Sequence, residues 1–425
     1  MALLPCIFHL AAQTLSIDLA DALVRAQRYG AQIQTADIAA SLAREDRVQA
    51  RAATLPSVNG FNQFIYTQGN GTSSGVFVSN DGVHVYNEQL QAHEELLALA
   101  RRGEVRLAAA SEAVARAKVE VAARGLKLTV VQGYYAIAVA QRRVVNGQRS
   151  LSEARQFLDI TSKQEQGGEA AHADVIKAQL QVRQRERDVQ DGQLAVQKAK
   201  IALAVLMFPT LRVDYDIVDD LGELKVLPPL PETTAEARIY SPEVRAAQAG
   251  VTQARLGVSV ARYGYLPSLG LDVFYGINAN QFADQAQPDF LVPFRQNLGY
   301  SAQATLNIPL WNWGATHSKV KQASFRRSQA ELDLSVTQRQ LEANISSAYQ
   351  EAQTALAQVE SLRSSSDLSA ESLRLTLLRY QAGEATALEV VDAQSTANLS
   401  RSAYADGLLR YRVARAAVES LMGVF

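Results

Sequence analysis

The side chains that most often carry catalysis or bind metals are few and widely spaced in this chain. Its histidines show no ligand spacing; they are His9, His84, His93, His172 and His317. The segment beginning at His93 lacks the second histidine of an HExxH zinc motif. Cys6 is the only cysteine, which excludes a disulfide framework and a cysteine zinc site. With no paired nucleophile and base, no phosphate loop and no metal-ligand cluster, the sequence predicts that the protein is not an enzyme and has no cofactor.

Carboxylates recur in a phrase that occurs twice, as GEAAHADVIKAQ from Gly168 and GEATALEVVDAQ from Gly383, with six of twelve positions identical. Asp174 in the first copy corresponds to Glu389 in the second, and Asp392 follows one helical turn later. Taken alone, such acids are typical of the first turn of a helix, where the helix dipole favours negative charge. In a narrow opening they would instead focus a negative potential and favour cations.

The elements around this phrase are predicted to be long helices. Proline is absent from residues 57–208 and 310–425, which are rich in helix-forming residues. Apolar or small residues recur about every 3.5 residues over 341–362 and over 126–144. Many are Ala or Gly, which lets helices approach closely. Residues 316–381 alone would form about 100 Å of helix, too long for a compact globule.

Alternation of apolar and polar residues predicts four strands, at about 57–67, 76–88, 267–278 and 298–310. The alternation is poor in the first half, where Gly60 and Asn62 stand on the side that should be apolar. Strands of about 9–11 residues with one apolar face suit the wall of a membrane barrel. Four strands cannot close such a barrel, and open edges are excluded in lipid, so several chains would have to share it.

The sequence contains an internal duplication. The second copy of the repeated phrase begins 215 residues after the first, from 168 to 383, and the same offset relates Tyr134 to Tyr349. We therefore expect two structural repeats, at 15–210 and 234–425, joined by a proline-containing linker at 211–233.

The net charge, the hydropathy and the N-terminal residues exclude further classes of protein. The 425 residues carry a formal net charge of −1, which argues against a nucleic-acid binder, and no apolar run is long enough for a transmembrane helix. Residues 1–14 resemble the apolar core of a signal peptide without its basic n-region and are predicted to be its remnant. Pro5 disfavours lipid attachment at Cys6.

Together these features resemble the TolC-like outer-membrane efflux protein family, over about residues 15–423. The resemblance rests on LPS before a strand at Leu55 and Leu266, and on NIPLWNWG at 307–314 between strand and helix. Most specific are RYQAGEATALEVVDAQ at 379–394 and its upstream copy. The resemblance implies a mainly α protein with a small β part. Duplicated long antiparallel helical hairpins would form a coiled-coil α-barrel, and four β-strands would join a shared trimeric transmembrane β-barrel.

The resemblance also implies partners and a location. The homotrimer would lie in the bacterial outer membrane with its helices in the periplasm. It would be the channel of a tripartite efflux or type I secretion system, working with a periplasmic adaptor and an inner-membrane pump. The alternative is a periplasmic coiled-coil adaptor or scaffold, which shares long antiparallel helices but lacks the duplication.

Residue by residue, the resemblance implies a gate at the periplasmic tip, formed by Asp174, Tyr380, Glu389 and Asp392. Tyr380 would hold the tip closed through a hydrogen bond to Asp174. The family's second tip link uses an arginine where this chain has Ala385. The turns between the helices would contact the adaptor; their residues are Gly168, Glu169, Ala170, Gly383, Glu384 and Ala385. Both glycines are expected in the left-handed conformation, with helices restarting at about His172 and Ala387.

Trp311 and Trp313 allow two interpretations. They suit an aromatic anchor at the membrane interface, or packing where a strand turns into a helix.

Overall fold

The computed structural model describes residues 15–66, 84–279, 282–285 and 296–423. The protein is mainly helical with a small β part, as the sequence predicts. In chain order the elements are β1 Leu15–Ile17, α1 Leu19–Tyr29, α2 Ala31–Ala52, β2 Ser57–Tyr66, β3 His84–Leu97, α3 Leu99–Gln166, α4 His172–Met207, β4 Tyr215–Ile217, α5 Leu230–Tyr240, α6 Pro242–Tyr263, β5 Ser268–Ala279, β6 Leu298–Asn307, α7 Ala315–Gln381 and α8 Ala387–Met422. The predicted signal-peptide remnant and Cys6 lie outside the described residues.

Corresponding helices in the two halves have nearly the same lengths. The pair α1 and α5 have 11 residues each, α2 and α6 have 22, and α4 and α8 have 36. The two longest helices, α3 and α7, have 68 and 67 residues. Between the halves, α5 begins at Leu230 and so includes the last residues of the predicted linker at 211–233. Pro231 lies in its first turn, where a missing N–H loses no helical hydrogen bond.

The described chain divides into two compact units. The first contains the described residues of 1–37, 118–244 and 336–425, and the second those of 38–117 and 245–335. In the first unit, β1 and β4 pair in parallel and pack with α1 against α3 and α4. Tyr134 of α3 is buried there and donates its hydroxyl to the carbonyl of Val218 at 2.7 Å. The linker is thus fixed to the long helices.

The predicted 3.5-residue seam is buried. Ile137 of α3 and Ile345 of α7 are at most 1% exposed. Small residues on α4 and α8 allow the close approach that the sequence indicates. A Cβ added to Gly407 of α8 would lie 2.5 Å from the Leu362 side chain of α7, and one added to Gly192 of α4 would lie 3.2 Å from Val144 of α3.

The second unit contains an antiparallel sheet in the order β2-β3-β5-β6. The second strand was predicted to end at residue 88, but β3, described from His84, continues to Leu97. Its polar end, through Glu94 and Glu95, shows little apolar alternation but is held in the sheet by pairing with β5. The fourth strand was predicted to reach residue 310 but ends at Asn307, before Pro309, which has no N–H for a strand ladder. Residues 76–83 lie outside the described ones.

The register gives the sheet two chemically different faces. On one face Leu271 lies opposite Ala304, and Tyr275 opposite Tyr300. On the other face Asp272 lies opposite Gln303. The irregularity predicted for the first half is present: Gly60 and Asn62 share the apolar face, opposite Leu90 and Glu88 of β3.

The tryptophans of the strand-to-helix junction lie on the surface of this chain. Trp311 and Trp313 are 76% and 89% exposed, and their rings contact each other edge to face at 5.9 Å. Trp313 has φ 55°, an unusual backbone conformation for a residue other than glycine. Packing within the chain therefore does not account for them. None of the described helices has an apolar stretch of the length needed to cross a bilayer.

Candidate functional site

The two copies of the repeated phrase form two turns of the same kind. Gly168, after α3, has φ 79°, and Gly383, after α7, has φ 78°, so the prediction of two left-handed glycines is confirmed. Each turn closes with the paired hydrogen bonds of a Schellman motif. The N–H of Glu169 donates to the carbonyl of Gln164, and that of Glu384 to the carbonyl of Arg379, both at 2.8 Å. The repetition of Gly-Glu-Ala thus reflects a helix stop used twice.

The second turn leads into a capped helix. Thr386 accepts a hydrogen bond from the N–H of Glu389, and the Glu389 carboxylate accepts one from the N–H of Thr386 at 3.1 Å. These bonds to Thr386, followed by the charge of Arg379, lower the pKa of Glu389 below its ordinary value. Glu389 is therefore ionised at neutral pH. Glu389 lies in the first turn of α8, which fits the interpretation that this acid is favoured by the helix dipole. Its carboxylate also lies 3.6 Å from the guanidinium of Arg379.

The first turn lacks this cap. Ala171 stands at the N-cap position of α4 and has no side chain that can accept a hydrogen bond. The Asp174 carboxylate instead lies 3.3 Å from the ammonium of Lys177, one turn further along. His172 reaches back across the turn to Glu165, with Nδ1 and Oε1 2.6 Å apart. The two turns share a backbone motif but differ in the charged contacts that follow it.

Tyr380 joins the end of α7 to α3. The side chain is buried, at 5% exposure, and its ring contacts Phe157 edge to face at a centroid distance of 5.2 Å. The Tyr380 hydroxyl donates to Oγ1 of Thr161 at 3.2 Å, and its backbone carbonyl accepts from the Gln164 side chain at 3.3 Å. The predicted bond from Tyr380 to Asp174 is absent. The packing of the ring on Phe157 directs the hydroxyl to α3, whereas Asp174 pairs with a lysine.

All four long helices contribute to the small core beneath the turns. Its buried members are Phe157, Ala178, Tyr380, Ala387 and Val390. A groove of about 720 Å³ lies between the turns and is lined by Asp174, Lys177, Tyr380, Gly383 and Thr386, among others. The structure therefore brings Tyr380 and Asp174 to one groove without a hydrogen bond between them.

The remaining predicted residues lie at the surface. Asp392 is exposed on α8, one turn after Glu389, and Glu169, Glu384 and the flanking alanines form the turns. The sequence did not reveal Thr161 or Arg379 as parts of the site. Thr161 lies in the middle of a long helix, and no local pattern shows that it faces Tyr380.

The site offers binding and electrostatic chemistry. Its ionisable groups are exposed carboxylates, with Lys177, Arg379 and His172 near them. No group of three or more potential metal ligands occurs among the residues that the structure describes. The arrangement can present charge along the groove and hold two helical hairpins together.

The second turn lies in a part of the chain that matches a known protein family. Residues 234–424 match the sequence model of the outer membrane efflux protein family. A comparison with curated protein sequences found no significant match.

Solved structures with the same fold are similar over almost the whole chain. A membrane protein from Pseudomonas aeruginosa is 19% identical, with 95% of this chain and 93% of that one aligned at a TM-score of 0.82. The outer membrane protein VceC from Vibrio cholerae is 16% identical, with coverage of 95% and 96% and a TM-score of 0.79. The open state of the Neisseria gonorrhoeae MtrE outer membrane channel is 19% identical, with coverage of 95% and 88% and a TM-score of 0.78. At these identities the likeness establishes the fold. The family model matched by residues 234–424 describes efflux proteins, which are not enzymes, in line with the prediction of a non-enzymatic protein.

Proposed function

We propose that three copies of this chain form an export conduit, because residues 234–424 match the outer membrane efflux protein family and the chain has the fold of solved outer-membrane proteins. The sheet would lie in the outer membrane and the long helices in the periplasm. The conduit would be the outer-membrane component of a tripartite efflux or type I secretion system. It would receive substrate through a periplasmic adaptor and an inner-membrane pump.

The observation that carries this proposal is the four-stranded sheet with unlike faces. The face that carries Leu271, Tyr275 and Tyr300 is apolar along β5 and β6 and suits lipid, and the polar face suits a water-filled lumen. In the described sheet β2 and β6 are edge strands, each paired on one side. An unpaired edge is excluded in lipid because its backbone N–H and C=O groups have no partners there. Pairing β6 of one copy with β2 of the next would satisfy both edges and close a barrel.

The groove between the two turns supports a gate at the periplasmic end. Repeated in three copies, Asp174, Glu389 and Asp392 would surround the opening with carboxylates and favour cations. Tyr380 would restrain this opening, because its bonds to α3 tie the second helical hairpin to the first. Thr161, rather than Asp174, is the partner that this restraint requires.

The turns themselves would receive the adaptor. Their Gly-Glu pairs are exposed, Ala170 and Ala385 are half-buried, and both turns are closed by the same Schellman hydrogen bonds, which suits a partner that contacts both of them. The proposed contact residues are Gly168, Glu169, Ala170, Gly383, Glu384 and Ala385. The chemical differences between the turns, at Ala171 and Thr386, would let an adaptor distinguish them.

The proposal is tested by conductance across a planar bilayer, with mass determined in the same detergent by light scattering. We expect a trimer that gives small, steady, cation-selective steps. The Glu389→Gln, Asp392→Asn double variant serves as a control: it should remain trimeric and conduct with reduced cation selectivity. A well-folded, monomeric, water-soluble protein without conductance would refute the channel and favour the adaptor or scaffold.

A further inference from the structure

The polar face of the sheet is almost free of ionisable groups. By register this face carries alternate residues of each strand, mostly Asn, Gln, Ser, Thr and Gly. Among the described strand residues on it, the only ionisable side chains are His93 and Glu95 of β3 and Asp272 of β5. All three lie at the end of the sheet where β3 approaches α3. Within the described strands, a lumen lined by this face would therefore contain one layer of ionisable groups.

Two of these groups form a pair directly across neighbouring strands. His93 and Asp272 are register partners, and Nδ1 of the histidine lies 2.7 Å from Oδ1 of the aspartate. Their side chains are 42% and 32% exposed, so ions and protons in the lumen can reach them. Gly270, next on the same face, lies beside the ring, and a Cβ there would be in ordinary van der Waals contact, 3.4 Å from Cε1 of His93.

The third ionisable group that the described strands place on this face is paired. Glu95 forms an ion pair with Arg101 at the start of α3, so the two contribute no net charge. On the far side of His93, β2 places the uncharged Ser57 in register with it. Beyond Asp272, β6 places the uncharged Gln303. The net charge of the layer is therefore set by His93 and Asp272.

We infer that the His93–Asp272 pair, repeated in three copies, forms a proton-responsive ring in the barrel lumen that selects small inorganic cations. This inference rests on the proposed trimeric channel. With neutral histidine each copy contributes one negative charge, from Asp272. Binding of a proton to His93 cancels that charge. Acidification of the lumen therefore removes the negative ring. His93 and Asp272 belong to the second compact unit, and the carboxylates of the helical turns belong to the first.

The test is the reversal potential of the trimer in a potassium chloride gradient, measured at about pH 7.5 and about pH 5.5. In the unmodified protein we expect the cation-to-anion permeability ratio to fall by about twofold or more on acidification. His93→Asn keeps a polar side chain but cannot be protonated, so its ratio should stay high at both pH values. Asp272→Asn should lower the ratio at about pH 7.5. His172→Asn and His317→Asn are matched controls, and both should retain the pH response.

The outcomes separate this inference from the proposed function. Absence of channel steps from the unmodified protein would refute both. Steps with a pH response that survives in His93→Asn, or disappears in His172→Asn, would overturn the lumen ring and leave the channel intact. If His93→Asn does not assemble, His93→Gln and Asp272→Asn provide the same discrimination, because either removes one charge-determining member of the pair.

Discussion

Replacing Tyr380 by Phe should raise the resting conductance of the channel by weakening the restraint between its helical hairpins. The substitution keeps the ring in its edge-to-face contact with Phe157 and removes only the hydroxyl that donates to Thr161. Opening of the tip by movement of α7 and α8 away from α3 would break this bond. Its loss therefore destabilises the closed state and leaves the open state unchanged.

The magnitude follows from the burial of the bond. A neutral hydrogen bond between buried side chains contributes about 1 kcal/mol net. If each copy opens independently, the closed-to-open ratio falls about fivefold per copy. If three copies open together, about 3 kcal/mol is lost and the ratio falls about 150-fold. Thr161→Val should have a larger effect, because it leaves the Tyr380 hydroxyl buried without an acceptor, at a cost of about 1–3 kcal/mol per copy.

The assay is a double-mutant cycle on open probability in planar bilayers. Tyr380→Phe should have its full effect in an Asp174→Asn background, since the structure places no bond between these two residues. In a Thr161→Val background the same change should be nearly neutral or should restore closure, because neither partner then lacks a bond. The opposite pattern, with coupling to Asp174 and none to Thr161, would refute the reasoning.

Three further predictions concern the charges and turns of the helical unit. Glu389→Ala with Asp392→Ala should reduce cation selectivity, and an unchanged reversal potential would remove both acids from the gate. Glu153→Gln should lower the free energy of unfolding by about 2 kcal/mol, because Arg401, 7% exposed and bound to Glu153 at 2.9 Å, loses its charged partner. Arg401→Met should cost less, which circular dichroism during chemical denaturation can check; the reverse order would contradict this account. Gly383→Ala should destabilise the turn by about 1 kcal/mol, since its φ of 78° strains a residue with a Cβ, and unchanged thermal unfolding would contradict that strain.

The parts of the fold that local patterns encode were predictable. The long helices follow from proline-free stretches with a 3.5-residue seam, and α7 begins and ends within a residue of the predicted segment at 316–381. The left-handed glycines follow from a repeated Gly-Glu-Ala after each long helix. The failure at β3 has a physical cause: a strand paired on both sides can keep polar residues such as Glu94 and Glu95, which the alternation of a half-buried strand excludes.

Some features of the candidate site could likewise be predicted from the sequence, and others depend on the packing of helices and strands. The sequence determined which residues lie in the turns, because a helix stop requires glycine and a helix start favours an acid, as at Gly383 and Glu389. Only the tertiary structure decided that Tyr380 bonds Thr161 and that His93 faces Asp272, since each pair joins residues far apart in the chain. Helix stops and helix starts depend on neighbouring residues and can therefore be predicted from the sequence. The partner of a side chain depends on how helices and strands pack, and neither residue of such a pair carries a local sign of the other.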